Sequence, residues 1–408
     1  MRRVEEHLAE CLRVVAPLPP IELPLLDAAD CLLTEDVVSP INLPRFNNSS
    51  MDGYAVRAAE VLGAAPGTAV HLPVRGDVPA GRSDVPPLEA GTALRIMTGA
   101  PMPAGADAVV PVEWTDAGES SVAIERAPSL GQHVRRAGED VLAGQTVLAA
   151  GTRLSPRHIA LLAAVGRDRV RVRPRPRVVV MSTGSELTPP GQPLEPGRIY
   201  ESNGFGLAAA AAELGADVHR VGVVVDEPKA VLTAIEDQVM RADLLVTTGG
   251  VSAGAYDTVK EVLSRLGTVT FTKVAMQPGM PQGVGTLGRE ATPIFTLPGN
   301  PVSALVSFEV FVRPAIRRMR DERELHRPTV SAVVAEGWTS PPGRRQFVRG
   351  VLEPDGAGWV VRPVAGGHGS HLVAQLAEAT CLAVVPEDVT DVKPGDELRC
   401  MVLERGRR

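Results

Sequence analysis

The chain has 408 residues, 44% of them hydrophobic and 22% charged, a globular composition long enough for about three domains and a core that needs no disulfides. A net charge of −6 offers no overall basic field to nucleic acid or an anionic membrane, and an aromatic share of 3% argues against base-stacking platforms. Cys11, Cys31, Cys381 and Cys400 form no CxxC pair and the histidines no HxxxH spacing, so a reduced cytoplasmic protein without a zinc site is expected.

At the N-terminus Val4, Leu8, Cys11, Leu12 and Val15 recur at helical spacing opposite Glu5, Glu6 and Glu10, which predicts an amphipathic helix, not a signal peptide. No apolar run approaches the ~20 residues of a membrane span. Residues 1–44 and 142–172 read as a helical and extended linking domain, and 45–141 as a small, mostly β domain with short runs such as ALRIMTG and DAVVPVEW. Ser155 is placed to cap a helix that Pro156 opens and Gly166 stops. The basic run 167–177, RDRVRVRPRPR, lacks aromatics and is read as a strand with outward arginines, not a nucleic-acid contact.

Residues 173–327 alternate strand and helix. The strands RVVVM, HRVGVVV, DLLVTTG, TVTFTKV and TPIFTL are separated by helical stretches, the pattern of a parallel sheet covered on both faces. Residues 328–408 return to short β runs and form a C-terminal, barrel-like β module. The fold class is therefore multi-domain, a central α/β domain with two all-β modules.

Ligands of open α/β sheets bind beyond the carboxyl ends of the strands, so the residues following each strand matter most. They are Ser182, Thr183, Gly184 and Glu186; Asp226; Gly249, Gly250, Ser252, Gly254 and Asp257; Gln277, Pro278 and Gly279; and Pro298, Gly299, Asn300 and Pro301. Glycines admit phosphate oxygens to backbone N–H groups, helix N-termini add positive potential, and Glu186, Asp226 and Asp257 could hold Mg²⁺ against phosphates. Any one loop could be an ordinary turn, but five at one edge predict a site for small anionic substrates. Gly204-Phe205-Gly206 imitates a dinucleotide fingerprint without a good strand before it, and no P-loop is present.

Three further segments, PRFNNSSMDGYAV (44–56), IMTGAPMP (96–103) and RRAGEDV (135–141), would each pass for a hairpin turn alone. Together with STGSEL, TTGGVSAGAYD and LPGNPVSA, in this order, they resemble the MoeA-type molybdopterin molybdenumtransferases, relatives of the gephyrin E domain. The resemblance spans essentially the whole chain. It implies insertion of molybdate into adenylylated molybdopterin, with Mg²⁺-assisted release of AMP, in a homodimer whose cleft joins the α/β domain of one subunit to the small β domain of the other. Asp52, Thr98 and Asp140 would serve from the β side, and Glu186, Asp226, Asp257, Lys273, Pro298 and Pro301 from the α/β side. The molybdopterin adenylyltransferase and acceptor molybdoenzymes are the implied protein partners.

The chain departs from the family pattern at several positions. Ser185 and Ala255 stand where aspartates are common, and Gln277 and Met280 replace two lysines that help hold molybdate in the family. Arg345 and Arg349 are the nearest replacements in sequence, with Ser370 as a hydrogen-bond donor. A pterin- or partner-binding paralogue without turnover is the alternative, but five acidic residues facing a polyanion make sense only with a cation.

Overall fold

A computed structural model describes residues 1–250, 258–266, 269–356, 358–367 and 369–403. It contains two compact units, one formed by Met1–Ile21 with Arg173–Arg408, the other by Glu22–Val172.

The first unit opens with α1 (Val4–Arg13). Its central elements are β1 (Arg177–Ser182), α2 (Asn203–Glu213), β2 (Asp217–Arg220), α3 (Pro228–Val239), β3 (Leu244–Thr248), α4 (Thr258–Leu266), β4 (Val269–Lys273), β5 (Pro281–Leu287), β6 (Thr292–Leu297) and α5 (Pro301–Ser307). A π-turn, Phe308–Val312, continues α5 into α6 (Arg313–Met319). The strand order is β2-β1-β3-β6-β5-β4, with β2, β1, β3 and β6 parallel. Strand periodicity sends alternate side chains to opposite faces. Val178, Val180, Leu244, Val246 and Phe295 join a core with Val4, Cys11, Leu207 and Val302. Val179, Met181, Leu245 and Ile294 join Val231, Ile235, Val259 and Leu263 on the other face.

The sheet is mixed, not parallel throughout. β5 runs antiparallel to β4 and β6. Its sequence, PQGVGTL, is not among the strands expected from sequence; a Cβ on Gly283 would overlap Thr296 and lie 2.8 Å from the Phe271 ring. Glycine is there for close packing, not for a turn. The run HRVGVVV is strand only over Asp217–Arg220, with a single bridge from Val224 to Thr183 beyond it. Helix α1 packs in this unit's core.

The unit ends in a closed barrel of β7 (Thr329–Val334), β8 (Arg345–Asp355), β9 (Gly358–Pro363), β10 (Cys381–Val385) and β11 (Glu397–Val402), with α7 (Val373–Glu378) inserted before β10. The order β8-β9-β7-β11-β10 closes through β10 pairing with β8. Met276–Gln277 pairs with the first residues of β8, which ties the loop before β5 to the barrel.

The second unit centres on a five-stranded sheet of Gly53–Val56, Val70–Val78, Ala93–Ile96, Ala108–Pro111 and Ser121–Ile124. Its helix, Pro156–Ala164, is bounded by Ser155 and by Gly166 at φ +82°. The basic run supplies the strand Arg169–Arg173, in which Val170 and Val172 are buried while Arg169 and Arg171 face outward.

Candidate functional site

A cavity of about 650 Å³ opens at the carboxyl edge of β1, β3 and β6 in the first unit. Ser182, Thr183, Gly184 and Glu186 reach it from β1, Asp226 from the loop after β2, Gly249 and Gly250 from β3, and Pro298, Gly299, Asn300 and Pro301 from β6. These strand-end residues expected from sequence thus meet in one place. Ser252, Gly254, Asp257 and Ala255 lie outside the described residues.

Local chain geometry explains the glycines. Gly249 and Gly250 have φ of +95° and +66°, where a side chain is strained. A Cβ on Gly249 would overlap the Thr183 carbonyl, and one on Gly250 would lie 2.8 Å from Val259. The carboxylate of Glu186 folds back over Gly184, 2.7 and 2.8 Å from where a Cβ would stand. Thr183 Oγ1 is buried with no hydrogen-bond partner among the described residues. Asp226 is fixed through its backbone, its N–H donating to Ser185 Oγ at 3.3 Å and its carbonyl accepting from the Thr258 hydroxyl at 3.1 Å. Ser185, a departure from the family pattern, thereby helps hold Asp226.

The two arginines expected to replace the missing lysines are already committed. Arg345 pairs with Glu5 at 2.5 Å and Glu387 at 2.9 Å. Arg349 is 4% exposed and donates to the carbonyls of Leu372 and Gly367 at 2.9 and 3.0 Å. Burial holds its pKa below the usual arginine range. Arg349 thus clamps the turn that carries Ser370. Asn300 Nδ2 donates to Ser370 Oγ at 2.9 Å, and the Val302 N–H to the Ser370 carbonyl at 3.1 Å, so this turn docks on the start of α5. His371 and Val373 then line the cavity. The cation that meets Gln277 is Arg344, whose Nη1 donates to its Oε1 at 3.2 Å. Lys273 ends β4 opposite the cavity-lining Pro281, with its own side chain exposed.

Sequence reading missed Glu201, Asn203 and Arg220. Glu201, 2% exposed, accepts from Ser182 Oγ at 3.0 Å, the Gly204 N–H at 2.5 Å and Arg220 Nη1 at 3.4 Å. Arg220 also lies 3.9 Å over the Phe205 ring. Asn203 Nδ2 donates to Thr248 Oγ1 at 3.0 Å and the Gly299 carbonyl at 2.7 Å, joining α2 to the ends of β3 and β6. The available signal was Glu-Ser-Asn immediately before an apolar helical run, a helix-start pattern.

Among the described residues no group of three or more His, Cys, Asp or Glu is arranged to hold a metal ion. Glu186 and Asp226 nevertheless line one cavity. Two carboxylates lining one cavity would suit Mg²⁺, which takes one or two carboxylates and completes its shell with water and substrate oxygens.

In the second unit the three motif segments converge. Asn47–Asp52 is held on one side by the turn after Ala93–Ile96, where the Ser49 N–H donates to the Ala100 carbonyl at 3.0 Å and the Gly99 N–H to the Ser49 carbonyl at 2.8 Å. On the other, the Ser50 N–H donates to the His133 carbonyl at 2.9 Å and the Ala137 N–H to Asn47 Oδ1 at 2.8 Å. Asp52 Oδ1 accepts both the N–H and the hydroxyl of Thr98. These bonds, the N–H first, hold the exposed Asp52 carboxyl below the usual carboxylate range. Asp140 is exposed, its N–H bound to the Leu43 carbonyl at 3.0 Å.

Comparison with known proteins matches residues 2–166 to the MoeA N-terminal region (domains I and II), 179–318 to a probable molybdopterin binding domain, and 331–403 to the MoeA C-terminal region (domain IV). Molybdopterin molybdenumtransferase 2 of Mycobacterium tuberculosis is 49% identical over 98% of this chain and 99% of its own length. Molybdopterin molybdenumtransferase of Haemophilus influenzae is 36% identical over 92% and 91%. The crystal structure of a molybdopterin biosynthesis MoeA protein from Pyrococcus horikoshii superposes with a TM-score of 0.76 at 32% identity, covering 99% of each chain. With the fold, the strand-end cavity and the order of its motifs all in agreement, the chain belongs to the MoeA family of molybdopterin molybdenumtransferases.

Proposed function

We propose that this protein inserts molybdate into adenylylated molybdopterin, cleaving the pyrophosphate bond and releasing AMP with the molybdenum cofactor. The observation that carries this reading is the meeting of Glu186 and Asp226 with the Gly249–Gly250 turn in one cavity. An acceptor-only pair beside a side-chain-free glycine turn suits a phosphoanhydride and a cation together.

Glu186 and Asp226 would hold Mg²⁺, with Asp257 as the family's third carboxylate. When bound, the ion would neutralise charge on the phosphates. The chain's own part is placement. The Gly249 and Gly250 turn lets the backbone approach a phosphate, the Thr183 hydroxyl is available to it, and Ser185 and Thr258 fix Asp226. Lys273 would offset charge at the same edge. The second acidic cluster, Asp52 with Thr98 and Asp140, enters this reading through a homodimer that brings it to the partner's cavity. Asp52, kept ionised by Thr98, is suited to orient the oxygen that attacks phosphorus. Water adding across the P–O–P bond yields AMP and the terminal phosphate of molybdopterin.

The test is AMP release from adenylylated molybdopterin with Mg²⁺, with and without molybdate. Release that requires molybdate supports the transferase. Tight binding without release contradicts it.

A further inference from the structure

The N-terminus of α2 looks in sequence like a phosphate seat, Gly204-Phe205-Gly206. In the structure an anion of the chain itself occupies it. Glu201 Oε1 accepts from the Gly204 N–H at 2.5 Å, and Arg220 balances the carboxylate at 3.4 Å. A Cβ on Gly204 would lie 2.8 Å from Ser182 Oγ and 3.1 Å from Glu201, so glycine here admits the carboxylate and not a ligand. A substrate phosphate on this wall would meet a second negative charge, which is unfavourable in a cavity.

This wall offers acceptors instead. The Ser182 proton is spent on Glu201. The Asn203 amide can point only one way: the Gly299 carbonyl takes one Nδ2 proton, and Thr248 Oγ1, which donates its own proton to the Pro298 carbonyl at 2.9 Å, must take the other. Oδ1 is left as a fixed acceptor, and no described residue donates to it. Leu187, Ile199, Tyr200 and Val373 line the same cavity as Asn203 and give it apolar walls. An oriented acceptor beside apolar surfaces matches an amino-substituted heteroaromatic ring, its N–H on the amide oxygen and its faces against the walls.

We propose that Asn203 is a specificity-determining residue: Oδ1 accepts a hydrogen bond from the exocyclic amine of a heteroaromatic ring of the substrate, while the phosphates lie on the Gly249–Gly250 side. The assignment rests on the reading of adenylylated molybdopterin as substrate, which carries two such rings, pterin and adenine.

Calorimetric titration of the full chain with two ligand pairs tests it. One pair is pterin and its 2-desamino analogue 4-oxopteridine; the other is AMP and purine riboside 5′-monophosphate. Wild type should prefer the amino ligand in one pair by about tenfold, and in Asn203→Ala the ratio should fall to near one; the pair that responds identifies the ring. The wild-type ratio decides alone if the alanine variant does not fold. No preference in either pair, no binding of either pair, or a preference that survives Asn203→Ala overturns the assignment. Molybdate-dependent AMP release by the same wild-type preparation separates the two failures. Release without an amino preference removes only the role of Asn203, whereas no release removes the substrate reading.

Discussion

Thr98 gives both of its donors to a single oxygen of Asp52, the N–H at 2.7 Å and the hydroxyl at 2.8 Å. The other carboxylate oxygen stays available, and the exposed group is held ionised by hydrogen bonds and not by a neighbouring cation.

Thr98→Val keeps the N–H bond and removes the hydroxyl bond. The Asp52 carboxyl should then titrate at higher pH, and the acid limb of AMP release should move up with it. NMR titration of Asp52 alongside the pH profile checks both. A profile unchanged in Thr98→Val would mean that Asp52 does not set the acid limb.

A second prediction concerns stability. Glu309 and Arg313 are nearly buried, and Glu309 pairs with Arg313 at 2.5 Å and Arg327 at 2.8 Å. Burial pushes the Glu309 carboxyl up, but hydrogen bonds from Arg327 and Arg313 outweigh it and leave a net lowering. A depressed carboxylate adds stability above its unfolded value, near 4.5, and that contribution is lost as pH falls through the folded value. Arg313→Met, which leaves the buried Glu309 carboxylate with Arg327 as its remaining guanidinium partner, should cost about 1–3 kcal/mol in urea unfolding at neutral pH. Glu309→Gln should flatten the acid dependence of stability.

Gly249→Ala should be costly in two ways. A residue at φ +95° whose Cβ overlaps the Thr183 carbonyl carries strain of about 1–3 kcal/mol. Relieving it moves the turn proposed to seat a phosphate. Substrate affinity should fall along with stability, measured by titration and thermal unfolding.

Arg349→Lys should not restore what Arg349→Ala loses. The guanidinium spans two carbonyls, at Gly367 and Leu372, and an ammonium lacks that fork. Both variants should loosen the Ser370–Val373 wall and raise KM for the pterin substrate, with the molybdate concentration dependence unchanged. A change confined to the molybdate dependence would return Arg349 to oxyanion binding.

Much of this architecture was legible in the residues. The apolar strands β1, β3 and β6 are buried on both faces and therefore read as continuous hydrophobic runs, and the motifs at their ends meet as expected. β5 was not legible because Gly283 reads as punctuation until Phe271 and Thr296 are seen against it. The ion pairs of Arg345 and the two carbonyls held by Arg349 were not legible, because sequence shows charge but not the partners that meet it. Glu201 and Asn203 lay in a helix-start pattern that fits many ordinary helices; only the folded chain brings them to Ser182, Thr248 and Gly299.

The central claim is that AMP is released at the cavity of Glu186 and Asp226. Single-turnover release from adenylylated molybdopterin, with Mg²⁺ and molybdate, should be fast in wild type and at least about a hundredfold slower in Asp226→Asn, with substrate still bound. Equal rates in the two proteins would contradict the account and place the chemistry elsewhere.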